Sequence, residues 1–113
     1  MEEPNLSYIK TISKGDFDFE KKIITIIKEE LFTEIDDYYR FFKESDLKKT
    51  KEIVHRIKHK MVILGLEKSY ELTNDFENSL REEKIINQKY FESMLPLMKN
   101  YINKLQDGMY NSR

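Results

Sequence analysis

The run from Asp16 to Glu44 constrains the fold most, because its apolar residues recur at intervals of three and four. That spacing places them on one face of an α-helix, whereas the alternating side chains of a strand would not produce it. The run also contains no glycine or proline. It therefore predicts one long amphipathic helix with a buried stripe of Ile24, Ile27, Leu31, Ile35, Tyr38 and Phe42.

Two further helices are predicted on either side of this one. A short leading helix carries Leu6, Ile9 and Ile12 and ends at the turn over residues 13–16. Ser45 or Asp46 caps the next long helix, which runs to Gly65, a residue suited to a left-handed C-terminal cap. The apolar stripe of this third helix is Leu47, Thr50, Val54, Ile57, Met61 and Leu64.

The last two helices are separated by the polar stretch Glu82-Glu83-Lys84 and by Asn87. The first spans Glu67 to about Arg81, and in the second Pro96 should kink the helix or begin a new segment, because proline lacks an amide donor. Their apolar faces are Tyr70, Thr73, Phe76 and Leu80 in the first, and Phe91, Met94, Leu95, Met98, Ile102 and Leu105 in the second.

Short connections between long amphipathic helices favour antiparallel neighbours. We therefore predict an all-α fold, an antiparallel up-down four-helix bundle with a short additional N-terminal helix. The 113 residues suit one domain, 1–113, with a core over roughly residues 6–105.

Composition excludes several classes of function. The chain has no cysteine, so disulfides, thiolate chemistry and cysteine-based metal sites are absent. Its 20 basic and 21 acidic residues nearly balance, which gives no support to a general nucleic-acid-binding role. The acidic start lacks the pattern of a secretory signal, and no run approaches the ~18 apolar residues of a membrane span. We expect a soluble cytoplasmic monomer that binds neither nucleic acid nor membrane.

One histidine stands out on the third helix. His55 falls about 140° around the helical wheel from the centre of the apolar stripe, so we expect it to be exposed. Lys51, Lys58 and His59 lie at i−4, i+3 and i+4, which is expected to place cationic groups beside the imidazole. Such a face suits a phosphoryl group.

The stretch around His55 resembles the histidine-containing phosphotransfer (HPt) domain of two-component phosphorelays. The family signature is a histidine, any residue, Leu or Ile, Lys and Gly, with Leu-Gly some six residues on, and His55, Ile57, Lys58, Leu64 and Gly65 match it. Further matches are Leu6 to Ile9, Gly15, Asp16, Asp46, Leu72, Phe76 and Glu77. The family's small residue four positions after the histidine is His59 here, and its usual leucine is Ser69.

The resemblance implies a phosphorelay carrier with no cofactor of its own. His55 would accept a phosphoryl group from the phosphoaspartate of a response-regulator receiver domain and pass it to another receiver, within a pathway fed by a hybrid sensor kinase. Lys58 would stabilise charge on the phosphohistidine, and Mg²⁺ would be supplied by the receiver. Lys51, Arg56 and His59 are candidate partner-binding residues, and Val62, about 20° from His55 on the wheel, is the candidate centre of the interface.

Other functions remain open at this point. His55 and His59 have the i, i+4 spacing of two zinc ligands, but no third ligand is evident. A sensor-kinase helix usually has an acidic residue after its histidine, and Arg56 stands there, so we expect no autokinase activity. The main alternative is an HPt-fold adaptor that binds a receiver or kinase without accepting phosphate, with His59 blocking transfer.

Overall fold

The computed structural model describes residues 2–82 and 84–111, with the side chains of residues 107 and 109–111 left out. Met1, Glu83, Ser112 and Arg113, which fall within the predicted domain, lie outside the described residues. The described residues form five helices and no strand, which confirms the all-α prediction. The helices are α1 (Ser7–Ser13), α2 (Phe17–Lys43), α3 (Leu47–Ile63), α4 (Glu67–Ser79) and α5 (Gln88–Asn111).

The turn between α1 and α2 lies where the sequence predicts it. Lys14 and Gly15 both adopt positive φ angles, of 50° and 84°, and reverse the chain. The Asp16 carboxylate then accepts a hydrogen bond from the Phe19 amide at 3.0 Å, which caps α2. The predicted boundaries of α2 are therefore correct to one residue at each end.

The boundaries of α3 depend on two capping residues. Of the two predicted N-caps, Asp46 accepts a hydrogen bond from the Lys49 amide at 3.1 Å, while Ser45 adopts a φ of 58° in the turn before it. At the other end Gly65 has a φ of 74°, as predicted for a left-handed cap. A Cβ atom at Gly65 would also require the Asn5 side chain to move, but the positive φ is the main reason for glycine at this position.

The packing of the helices buries one continuous core. Helix α2 contacts α3 and α5, α4 contacts the same two helices, and α1 packs on α2. The predicted stripes supply most of the buried residues, including Leu31, Val54 and Phe91. Leu47 is an exception, because this first residue of α3 is 37% exposed at the rim of an open groove.

The last two helices differ from the sequence prediction in one feature each. Helix α4 ends at Ser79 rather than near Arg81. Helix α5 continues through Pro96 without beginning a new segment there, so that alternative is wrong. In the described part of the chain, no helix is long and apolar enough to cross a lipid bilayer.

Candidate functional site

His55 lies on the solvent side of α3, as its wheel position predicts. Its side chain is 49% exposed, whereas the neighbouring Val54 and Ile57 are fully buried against the core. Burial of the opposite face of α3 holds the helix in place and leaves the imidazole accessible. An accessible ring on a fixed helix is a reasonable position for a nucleophile.

Glu77 of α4 orients the His55 ring. The ring atom Nδ1 lies 3.1 Å from Glu77 Oε2 and 3.3 Å from Oε1. Because an ionised carboxylate only accepts hydrogen bonds, this contact assigns the proton of the neutral ring to Nδ1. The lone pair is then on Nε2, the nitrogen that can attack an electrophile.

Lys58 contacts the same carboxylate from the buried side of α3. Its Nζ atom lies 2.9 Å from Glu77 Oε1 and donates a hydrogen bond of 2.9 Å to Asn74 Oδ1. It also lies 5.3 Å from the centre of the Tyr70 ring, within range of a cation–π contact. Glu77 thus bridges a buried lysine and an exposed histidine.

The position of Lys58 corrects the sequence prediction. We expected it on the exposed face beside His55, but only 5% of the residue is exposed. Position i+3 lies part of the way around the helix towards the core, and the Glu77 carboxylate and the Asn74 amide supply partners there. The predicted role of Lys58 in stabilising charge stays a prediction, and its geometry would make that role act through Glu77.

His59 lies directly against the His55 ring. The two imidazole centroids are 4.4 Å apart and the ring planes meet at 60°. Partial burial lowers the pKa of His59, and positive charge nearby, on His55 when that ring is protonated and on Lys58, lowers it further. The replacement of the family's small residue therefore places a second ring in contact with His55.

The other predicted partner-binding residues surround the site on two sides. Lys51 and Arg56 line an open groove of about 690 Å³ that includes His55 and Glu77. Val62 lies one turn beyond His59 and is 42% exposed. Exposure of this kind is compatible with partner contact, and the partner-binding roles stay predictions.

Glu77 is the residue that sequence reasoning placed only as a family match. Its spacing contained a usable signal, because Glu77 lies four residues after the buried Thr73 of α4 and three before the buried Leu80 that follows the helix. A carboxylate at a core position predicts a buried cationic or hydrogen-bonding partner. The identity of that partner depends on how α3 and α4 pack.

Ser69, the second departure from the family pattern, also acquires a structural explanation. It is fully buried, and its hydroxyl donates to Glu2 Oε1 at 2.8 Å and lies 3.0 Å from the Tyr90 hydroxyl. The Glu2 carboxylate further accepts hydrogen bonds from the amides of Lys68 and Ser69, at 3.0 and 2.7 Å. The N-terminal segment thus caps α4, whose own N-cap residue, Leu66, makes no side-chain cap bond.

Neither a search for metal-binding side chains nor comparison with known proteins assigns a further role to the site. Within residues 2–82 and 84–111, no three or more histidine and acidic side chains are grouped so as to hold a metal ion. No protein-family profile, no curated protein and no solved structure matches this chain. The HPt resemblance therefore depends on the residues of the chain itself.

Proposed function

We propose that this protein is a phosphorelay carrier that accepts a phosphoryl group on His55 and donates it to a second receiver domain. The observation that carries the proposal is the contact between His55 Nδ1 and Glu77, at 3.1 Å. It leaves Nε2 of an exposed ring as the nucleophile and gives Nδ1–H a carboxylate partner. Orientation of a catalytic histidine by a carboxylate is a recurring arrangement in nucleophilic catalysis.

The transfer step follows from this arrangement. The Nε2 lone pair attacks the phosphorus of an aspartyl phosphate, the bond from phosphorus to the aspartate oxygen breaks, and the carboxylate leaves with the electron pair. The ring then carries a positive charge with its proton still on Nδ1, which Glu77 stabilises. Attack by the aspartate of a second receiver reverses these events. The Mg²⁺ and acidic pocket that stabilise the transferring group belong to the receiver.

Lys58 has a supporting role in this proposal. Its contact with Glu77 Oε1 holds the carboxylate in place, so that Oε2 remains directed at the His55 ring. The family resemblance implied that Lys58 stabilises the charge of phosphohistidine directly. In this proposal Lys58 acts on His55 through the Glu77 carboxylate instead. Lys58 is thus a positioning residue for His55.

The wider setting is part of the same proposal. The contacts that link α2, α3, α4 and α5 in a ring support an antiparallel up-down four-helix bundle, covered at one side by α1. We place the protein in the cytoplasm as a monomer that receives phosphate from a hybrid sensor kinase through its receiver domain. Lys51, Arg56, His59 and Val62 form its docking surface.

The direct test is phosphoryl transfer from a phosphorylated receiver domain, with acid-labile phosphate read by native mass spectrometry. The chain contains only two histidines, so His59→Gln is a matched control for His55→Gln. We expect label on the wild type and on His59→Gln, and none on His55→Gln. Label that persists on His55→Gln would contradict the assignment of the acceptor.

The contact between His59 and His55 favours a second candidate, a non-phosphorylated adaptor that binds a receiver or kinase. With ring centroids 4.4 Å apart, His59 occupies space next to the imidazole that a partner's active site would need. An adaptor would bind receivers without accepting phosphate. The variant His59→Gly would then gain transfer to His55, whereas a carrier would already be labelled as the wild type.

A further inference from the structure

A groove runs alongside His55 between α3 and the C-terminal end of α4. Its walls are formed by Lys51 and Arg56 of α3 on one side and by Leu80 and Arg81 on the other, and its volume is about 690 Å³. That volume lies within the range of about 300–1,000 Å³ typical of ligand-binding clefts. His55 and Glu77 also line the groove, so an occupant would reach the edge of the imidazole.

The groove is cationic although the whole chain is nearly neutral. Four basic side chains line it, Lys48, Lys51, Arg56 and Arg81, against the two carboxylates of Glu52 and Glu77. Glu77 already contacts Lys58 and His55, so its charge is compensated within the protein. The excess of positive charge attracts an anionic partner and repels a basic one.

Apolar surface in the same groove distinguishes its occupant from a simple anion. Leu47 is 37% exposed, which is unusual for a leucine on the apolar stripe of α3, whereas Leu80, directly after α4, lines the groove but is only 3% exposed. A phosphate ion or a purely polar polyanion would leave this surface in water. An apolar side chain surrounded by carboxylates would cover Leu47, and the carboxylates would pair with the basic residues at the same time.

We propose that this α3–α4 groove binds an acidic peptide segment that carries an apolar side chain. The apolar side chain packs on the exposed part of Leu47, and flanking carboxylates pair with Lys51, Arg56 and Arg81. The segment belongs to a partner protein, and its binding brings that partner next to His55. Binding in the groove does not require His55 to accept phosphate, so this proposal and the proposed function fail independently.

The test is titration of the ¹⁵N-labelled full chain, followed by amide chemical shifts. The probe is a short acetylated and amidated peptide of glutamate and aspartate with a central leucine–phenylalanine pair. We expect saturable shifts for residues 47–56 and 77–81, with affinity in the range of about 0.1–1 mM that suits a weak docking segment. The variant Arg81→Glu should weaken binding about tenfold, because it replaces attraction by repulsion.

Matched controls keep the outcome specific. Lys104→Glu makes the same charge change on an exposed residue of α5 and should leave peptide affinity unchanged. A peptide of the same charge without the apolar pair should bind about tenfold more weakly, since it leaves Leu47 uncovered. All variants should retain the helical circular dichroism of the wild type.

Several results would overturn the proposal. Equal binding of the peptide without apolar residues would reduce the groove to a general anion site. Tighter binding of ATP than of the peptide would make a nucleotide the better occupant. The absence of shifts at millimolar peptide, or equal weakening by Lys104→Glu and Arg81→Glu, would remove the groove as a docking site.

Discussion

Lys58 and Lys60 lie two residues apart on α3 and are buried to nearly the same extent, yet their surroundings differ. Lys58 contacts Glu77 of α4 at 2.9 Å, and Lys60 contacts Glu34 of α2 at 3.0 Å. The Glu77 carboxylate is shared with His55 and lines the groove. The Glu34 carboxylate contacts no histidine among the described residues, and its Oε1 atom, although near Lys60, accepts no hydrogen bond there.

The comparison shows that the influence of a buried ion pair depends on the next side chain that its members contact. That side chain is His55 for the Lys58–Glu77 pair and Glu30 for the Lys60–Glu34 pair. Burial raises the pKa of Glu34, and its hydrogen bond with Lys60 acts in the opposite direction. The Lys60–Glu34 pair thus ties α3 to α2, and Lys60 also contacts Glu30 of α2 at 3.1 Å, so the third group of this cluster is a carboxylate. The Lys58–Glu77 pair continues to the exposed His55 ring, so a change at Lys58 or Glu77 reaches the surface through that ring.

The largest expected effect on stability comes from breaking the Lys60–Glu34 pair. Lys60→Met should lower the free energy of unfolding by about 3 kcal/mol, because it leaves Glu34 buried without its cation. Urea denaturation followed by circular dichroism measures this loss. The double variant Lys60→Met, Glu34→Leu should recover most of it, and a double variant as unstable as the single one would contradict the explanation.

The next prediction distinguishes Glu77 from Glu34 by the rate of phosphoryl transfer to His55. Glu77→Gln should slow phosphoryl transfer to His55 about 10- to 100-fold, as expected when the group that orients a histidine is replaced. The glutamine amide can donate to Nδ1 and so favour the wrong tautomer of the ring. The rate is read by native mass spectrometry, and the tautomer by the ¹⁵N shifts of the two ring nitrogens.

Glu34→Gln is the matched control for that change, because it makes the same substitution in the other cluster. It should leave both the transfer rate and the His55 ring shifts at their wild-type values. Equal slowing by the two variants would mean that Glu77 acts only on stability.

A smaller effect should follow removal of the other lysine. Lys58→Met should lower the free energy of unfolding by about 1–2 kcal/mol, less than Lys60→Met, because Glu77 keeps its contact with His55. The same urea titration measures it. A loss equal to that of Lys60→Met would show that the two clusters are energetically alike.

The smallest effect concerns a carboxylate that is held by amides instead of a lysine. Burial acts to raise the pKa of Glu2, but hydrogen bonds from the amides of Lys68 and Ser69 outweigh it and hold the pKa below 4.5. A lowered carboxyl pKa adds stability above the unfolded value, and this stability is lost as the pH falls through the folded value.

The variant Glu2→Gln tests this dependence. It should cost about 1 kcal/mol at pH 7, the usual size of a helix cap. The difference between wild type and variant in thermal unfolding should shrink as the pH falls below 4.5. A difference that stays constant with pH would assign the contribution of Glu2 to something other than its charge.

Local sequence signals predicted the helices well and the side-chain network poorly. Caps and turn residues such as Asp16, Asp46 and Gly65 act within a few residues of their own position, so their roles follow from spacing. The burial of Lys58 was not predicted, because lysine at i+3 from an exposed residue is more often solvated. Ser69 appeared only as a departure from a family pattern, and its bond to Glu2 joins residues 67 positions apart.

The sequence by itself determined the all-α class, nearly all helix boundaries and the outward orientation of His55, because helical periodicity and capping are local properties. Only the tertiary structure decided that Glu77 joins Lys58 to His55, that Lys60 pairs with Glu34, and that Leu47 borders a cationic groove. Each of these contacts joins residues on different helices. Their distances depend on the rotation and packing of whole helices, which no short stretch of sequence specifies.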